Sequence, residues 1–154
     1  MILRRTKMNK IGIISGGFDP LHSGHIRLFK GAKRYGNIIV LLNSNEWLIR
    51  KKGFYFMDWE ERYEILKNLQ NVEHVLAFDD SDDTCIPGLT KILKYNPKTT
   101  EFFFLNGGDR GLNTTPEKLF CQEANIQAMW GIGGIKTQSS TDFLERYYEH
   151  RKNI

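Results

Sequence analysis

Short apolar runs alternate with amphipathic segments along this chain, the runs at strand length and the segments at helix length. Strands are predicted at about 10–15, 37–43, 72–78, 101–105 and 126–130. The run 37–43 is apolar without a break, the pattern of a strand covered on both faces in a parallel sheet. The first helix is predicted over 23–34, closing at Gly36, and a short one over 45–49 that runs into Arg50, Lys51, Lys52 and Gly53. Residues 54–57 read as a loop with aromatic anchors. Asp58 with Glu61 three residues on has the form of a capping box; its helix carries Tyr63, Ile65, Leu66 and Leu69 and ends by Asn71. Further helices follow at 85–95, with Pro87 in the first turn, and from Thr115 as N-cap and Pro116 to about Ala124. The last opens at Ser139, Ser140 and Thr141, with Phe143, Leu144, Tyr147 and Tyr148 as its apolar stripe.

Strands and helices in strict alternation define an α/β class, a three-layer α/β/α Rossmann-like domain with a five-stranded parallel sheet. Ligands of such sheets bind beyond the carboxyl ends of the strands, where strand order reverses. The polar, glycine-rich stretches do follow strands: 15–25, 43–45, 106–110 and 131–141. They are expected to converge on one edge.

Composition narrows this only a little. With 154 residues the chain fits one domain, 10–154, preceded by an extension at 1–9. The net charge of +4 suits an anionic small molecule as well as a nucleic acid, and no long basic run or aromatic-basic signature favours RNA. Cys85 and Cys121 form no CxxC pair and read as buried thiols of a reducing compartment. The acidic stretch 79–83 reads as turn and cap residues rather than a metal site. No apolar run approaches the ~20 residues of a membrane span, and the basic N-terminus lacks a signal-peptide core, so the expected location is cytoplasmic.

The candidate chemistry lies in the stretch from Ser15 to His25. Gly16 and Gly17 permit close approach of a ligand to the backbone. His22 and His25, spaced i, i+3 in a first helical turn, lie on one side of it, and the helix N-terminus favours a phosphate. Ser139, Ser140 and Thr141 offer a second phosphate cradle, Lys51, Lys52 and Arg62 cations, and Asp109 and Arg110 a carboxylate and a guanidinium after Gly107 and Gly108. No nucleophile–base triad and no metal-ligand spacing can be assembled. Donors without bases suit phosphoryl or nucleotidyl transfer, where the substrate's own phosphate attacks.

These motifs resemble a known superfamily. His22-Ser23-Gly24-His25, within Gly-Gly-Phe-Asp-Pro-Leu-His-Ser-Gly-His, is similar to the HxGH signature of the nucleotidylyltransferases. Gln138-Ser139-Ser140-Thr141 resembles their second motif. The helix around Glu60-Glu61-Arg62 and the turn Asn106-Gly107-Gly108-Asp109-Arg110 look like those of the cytidylyltransferase-like branch. The resemblance implies that His22 and His25 bind the triphosphate and stabilise the transition state, and that Gly16, Gly17, Phe18, Asp19 and Gly24 form the turn around the nucleotide, Gly17 and Phe18 through backbone groups. It implies that Ser139, Ser140 and Thr141 hold the β- and γ-phosphates and that Lys51 or Lys52 sits near the scissile bond. Arg62 would reach into the site or buttress it, while Gly108, Asp109 and Arg110 lie near the base and ribose. It further implies Mg²⁺ carried by the NTP with few protein ligands, CTP or ATP and a phosphorylated small molecule as partners, and a homodimer among the open oligomeric states. Glycerol-3-phosphate cytidylyltransferases carry an arginine before the second motif, whereas this chain reads Gly134-Ile135-Lys136-Thr137 there. Heptose-1-phosphate adenylyltransferases also lack it, and nicotinamide- and pantetheine-phosphate adenylyltransferases share the Gly-Gly-Phe-Asp-Pro opening. CMP transfer is the favoured expectation; an adenylyltransferase for a sugar phosphate or nicotinamide mononucleotide and a non-catalytic nucleotide-binding module are the alternatives.

Overall fold

A computed structural model describes residues 8–108, 115–135, 137 and 139–154. Five strands, β1 (Lys10–Gly16), β2 (Asn37–Leu42), β3 (Val72–Leu76), β4 (Glu101–Leu105) and β5 (Gln127–Met129), form one parallel sheet in the order β3-β2-β1-β4-β5. The helices are α1 (Ser23–Ala32), α2 (Asn45–Lys52), α3 (Trp59–Lys67), α4 (Ile86–Tyr95), α5 (Pro116–Glu123) and α6 (Ser140–Lys152). The chain winds outward from β1 through β2 to β3, then crosses to β4 and β5. Strand order therefore reverses between β1 and β4, and the crevice beyond their carboxyl ends is the place for a ligand.

Successive residues of the central strands bury on opposite faces, as the period of two requires. Ile14, Val40, Leu42, Phe103 and Leu105 pack under Phe29 and Ala32 of α1 and Leu66 of α3. Ile13, Ile39, Leu41, Phe102 and Phe104 pack under Leu89 and Ile92 of α4 and Cys121 of α5. The expected three-layer α/β/α Rossmann-like architecture is the one observed.

Several boundaries differ from the sequence expectation. α1 tightens into a 3-10 turn at Lys33–Tyr35 before Gly36, whose φ of +107° ends it. α2 runs on to Lys52, so both lysines are helical. β3 stops at Leu76 because its partner β2 ends one residue past the last pair, Leu41 with Leu76. β5 is three residues long for the same reason, its last partner being Leu105 at the end of β4. α6 carries the expected apolar stripe, yet no residue of this helix is buried, and Phe143, Tyr147 and Tyr148 are 40%, 55% and 50% exposed. Both sheet faces are already covered by other helices, which leaves no core for the stripe to enter. Both thiols are buried and free, and desolvation pushes Cys85 up to about 12 and Cys121 up to about 11.

Candidate active site

The turn between β1 and α1 is built by its two histidines. His22, in extended conformation, is the N-cap of α1, and its Nδ1 accepts the Gly24 N–H at 3.1 Å. His25, three residues on, returns the favour: its Nδ1 accepts the His22 N–H at 3.2 Å. This is a capping box made of two imidazoles. The rings stack at 3.9 Å with 28° between their planes. Because each Nδ1 is an acceptor, each neutral ring carries its proton on Nε2. The pair therefore presents N–H donors rather than bases. Gly24 makes the box possible, since a Cβ there would lie 2.8 Å from the His22 ring.

Phe18 stands behind the histidines. Its backbone is left-handed at φ +51°, its side chain is buried, and its ring meets His25 edge-on at 5.0 Å and Phe29 at 5.8 Å. A positive φ on an aromatic residue has to be held by surrounding packing. Gly17 lets this turn run close to α2, because a Cβ would meet Leu48 at 2.8 Å.

Two expected nucleotide contacts are structural in geometry. Asp19 is 1% exposed, and its carboxylate accepts the Phe56 N–H at 2.7 Å and the Met57 N–H at 2.6 Å, pinning the aromatic loop against the β1–α1 turn. Arg62 is completely buried. Its guanidinium donates to the carbonyls of Gly17 and Asn43, both at 2.8 Å, to those of Met57 at 3.0 Å and Asp58 at 3.2 Å, and to Asn45 Oδ1 at 2.8 Å. Of the two roles expected for it, the buttress is the one this geometry describes: it has no surface to offer a nucleotide. Desolvation draws its pKa below the usual guanidinium value, and the nearby carboxylates, Asp19 foremost, work against that.

The two lysines diverge. Lys51 lies over the Trp47 ring, 5.7 Å from its centroid. Lys52 Nζ donates to the Asp19 carbonyl at 2.8 Å, within the histidine turn, and desolvation lowers its pKa while Asp19 partly opposes this. On the other side, α6 brings its N-terminus to the same turn. Ser139 caps α6 by accepting the Asp142 N–H at 3.1 Å, and Ser140 Oγ donates to the Pro20 carbonyl at 2.9 Å. Thr141 is the exposed second residue of α6. Gly16 accepts the Asn43 N–H at the end of β1, and Gly108 accepts the Gly131 N–H, tying the loop after β4 to the loop after β5. Asp109 and Arg110 lie outside the described residues.

Sequence reasoning missed two features. Asp80, 5% exposed, reaches from the acidic loop to take the Ser44 N–H at 2.8 Å, the Ser44 hydroxyl at 2.8 Å and the Asn43 amide at 3.1 Å, fixing the start of α2. A buried aspartate among five acidic and polar neighbours leaves no sequence signal. Arg27 donates to Thr137 Oγ1 at 2.7 Å, joining α1 to the segment before α6. Its signal was its spacing, three residues after Gly24 on the same face of α1.

Two helix N-termini, two stacked histidines and a lysine lie beyond the reversal point of a parallel sheet, a place suited to an anionic ligand. The cytidylyltransferase-like family model matches residues 13–152, and the chain belongs to that family. The bifunctional protein HldE of Trichlorobacter lovleyi is 32% identical over 152 residues, covering 94% of this chain and 28% of that protein. The FAD synthase of Ferroglobus placidus is 29% identical over 75 residues, 49% of each chain. The chain thus spans about a quarter to a half of the length of these relatives. The lipopolysaccharide core biosynthesis protein of Thermoplasma volcanium shares the fold, with a TM-score of 0.59 at 18% identity over 84% of this chain and 98% of that one. No helix among the described residues is long and apolar enough to cross a membrane.

Proposed function

We propose that the chain transfers a nucleoside monophosphate, CMP in preference to AMP, from an NTP to a phosphorylated small alcohol or sugar and releases pyrophosphate. One observation carries this reading: the N-termini of α1 and α6 meet around the stacked histidines, Ser140 being bonded to Pro20 at 2.9 Å. Two helix N-termini, with the positive ends of their dipoles, and the two imidazoles border the space a triphosphate would fill. An oxygen of the acceptor phosphate attacks the α-phosphorus. The new P–O bond forms as the bond from that phosphorus to the α–β bridging oxygen breaks, and the electron pair leaves with pyrophosphate. His22 and His25 donate to the α-phosphate as charge grows, and the α6 amides with Ser139, Ser140 and Thr141 receive the β- and γ-phosphates. Lys52 is the lysine of the pair we assign to the scissile bond, since it is bonded within the turn and Lys51 lies on Trp47. Mg²⁺ arriving with the triphosphate supplies charge neutralisation. Asp19, in the turn that carries the histidines, is committed to two amides, which fits a metal held by the nucleotide rather than by the chain.

The family match supports cytidylyl transfer. The adenylyl reading is favoured by the absence of arginine from Gly134-Ile135-Lys136-Thr137 and by the likeness to HldE and FAD synthase. The test is a thermal-shift screen of CTP, ATP, GTP and UTP, with pyrophosphate release followed against phospho-sugars, phospho-polyols, phosphocholine and nicotinamide mononucleotide. CTP is expected to stabilise most, by about 2.7 kcal/mol at 100 times its Kd. In the same assay His25→Ala is expected to lose about 100-fold in turnover. ATP in first place reverses the base assignment; stabilisation with no release from any pair makes the chain a binding module.

A further inference from the structure

We infer that Arg27 is a phosphate-binding residue of this site and that it takes charge on the leaving pyrophosphate. The inference rests on the nucleotidyl-transfer reading and adds a residue to it.

Three observations converge on Arg27. First, it sits one turn into α1, in register with Gly24, on the face that carries the histidine turn. The position of a Cβ on Gly24 would lie 2.8 Å from the His22 ring and 3.6 Å from the Arg27 guanidinium. The imidazole and the guanidinium thus flank the same point of the backbone. Second, the guanidinium crosses to the other wall and donates to Thr137 Oγ1 at 2.7 Å, two residues before the Ser139 cap of α6. It stands where the two phosphate cradles join. Third, charge is supplied unevenly around the site. Lys52 stands on the α2 side, bonded to Asp19. Arg62 is enclosed by carbonyls. On the α6 side Ser140 meets the turn through its hydroxyl and Arg146 lies over the Phe143 ring, while Arg27 brings a cation directly to Thr137.

A triphosphate carries several negative charges, and in-line transfer concentrates more on the bridging oxygen as the bond from the α-phosphorus breaks. A planar guanidinium with several donors suits two oxygens of a departing pyrophosphate better than an ammonium does. The Thr137 hydroxyl holds the side chain extended across the gap, so less rotamer freedom is lost on binding. No proton or electron moves through Arg27; it stabilises the group that leaves.

The test measures inorganic pyrophosphate binding by calorimetry, beside binding of the nucleoside monophosphate and steady-state turnover. Arg27→Gln keeps an amide donor for Thr137 and removes the charge. It is expected to weaken pyrophosphate binding by roughly tenfold or more, lower kcat by a similar factor, and leave monophosphate affinity within about twofold. Arg27→Lys, which keeps the charge, should recover pyrophosphate affinity to within about threefold, and serves if the glutamine variant fails to fold. Thr137→Val removes the tie alone, with an expected loss of about threefold or less. Pyrophosphate binding equal in Arg27→Gln and the unaltered protein overturns the inference. So does an equal loss in Thr137→Val, which would make the contact a tether only. If the unaltered protein binds neither NTP nor pyrophosphate, the parent reading falls and this one with it. NTP binding that survives alongside an indifferent Arg27 variant leaves the parent reading standing and removes this residue from it.

Discussion

The two walls of the site are made in opposite ways. The wall of β1, β2 and α3 is cross-linked in depth: Arg62 ties Gly17, Asn43, Met57 and Asp58 together, Asp19 pins the loop 54–57, and Asp80 fixes the start of α2. The wall of α6 has no buried residue and reaches the turn through a few polar contacts, Ser140 with Pro20 and Thr137 with Arg27. The first wall is built into the domain; the second is docked onto it. Rigid geometry is needed where the α-phosphorus is attacked, because small displacements there are costly. In the proposed reaction the wall that receives pyrophosphate must also let it go. Under that assignment the exposed helix lies on the leaving-group side, which meets both demands with one fold.

The largest expected effect tests how far the built wall depends on one residue. Arg62→Met keeps much of the volume and deletes every donor. The carbonyls of Gly17, Asn43 and Met57 then lose the fully buried guanidinium as their partner. Unsatisfied buried acceptors cost about 1–3 kcal/mol each when nothing relaxes, so a total loss near 4 kcal/mol is expected, read from the urea midpoint at constant slope. A loss below about 1 kcal/mol would mean that the wall stands without its clasp, and the contrast between the walls would fail.

Asp19→Asn comes next. It leaves one acceptor oxygen where two amides need acceptors, and it removes the negative charge that opposes the lowered pKa of both Lys52 and Arg62. A loss of about 2 kcal/mol is expected, with faster protease cleavage at 54–57. The Lys52 pKa should fall further, because desolvation then acts without that counterweight. Unchanged cleavage would show that the aromatic loop is held by its rings and not by Asp19.

The contrast between the walls also separates what the sequence could tell from what it could not. The order of elements and the histidine turn were readable because periodicity and the spacing of His22 and His25 are local. The parallel sheet followed from the alternation of strands with helices, whereas the strand order that puts its reversal between β1 and β4 did not. The partners of Arg62 were not readable: Glu-Glu-Arg in a polar first turn looks like a solvated face, and the carbonyls that enclose the guanidinium come from three separate segments. The choice between Lys51 and Lys52 was equally closed, since neighbours on a helix point about 100° apart and only the tertiary placement of α2 decides which meets the turn. For α6 the apolar stripe was legible as a pattern, while its exposure was not. Periodicity reports that a face is apolar; it does not report whether a surface is left to bury it.

The smallest expected effect falls on that helix. Tyr147 is 55% exposed, and among the described residues its ring meets that of Tyr148 of the same helix, at 6.3 Å. In the built wall Leu66 has no exposure at all, and truncating a leucine so placed costs about 2–5 kcal/mol. Tyr147→Ser removes a ring larger than that leucine side chain, yet the expected change is within about 0.5 kcal/mol, because the ring is already largely in water. The thermal midpoint should accordingly stay put and be independent of protein concentration. A loss of 2 kcal/mol or more would mean that the stripe is covered in solution, and a midpoint that rises with concentration would say the cover is another copy of the chain. In either case α6 would cease to be a docked wall, and its side of the site would be as firmly built as the other.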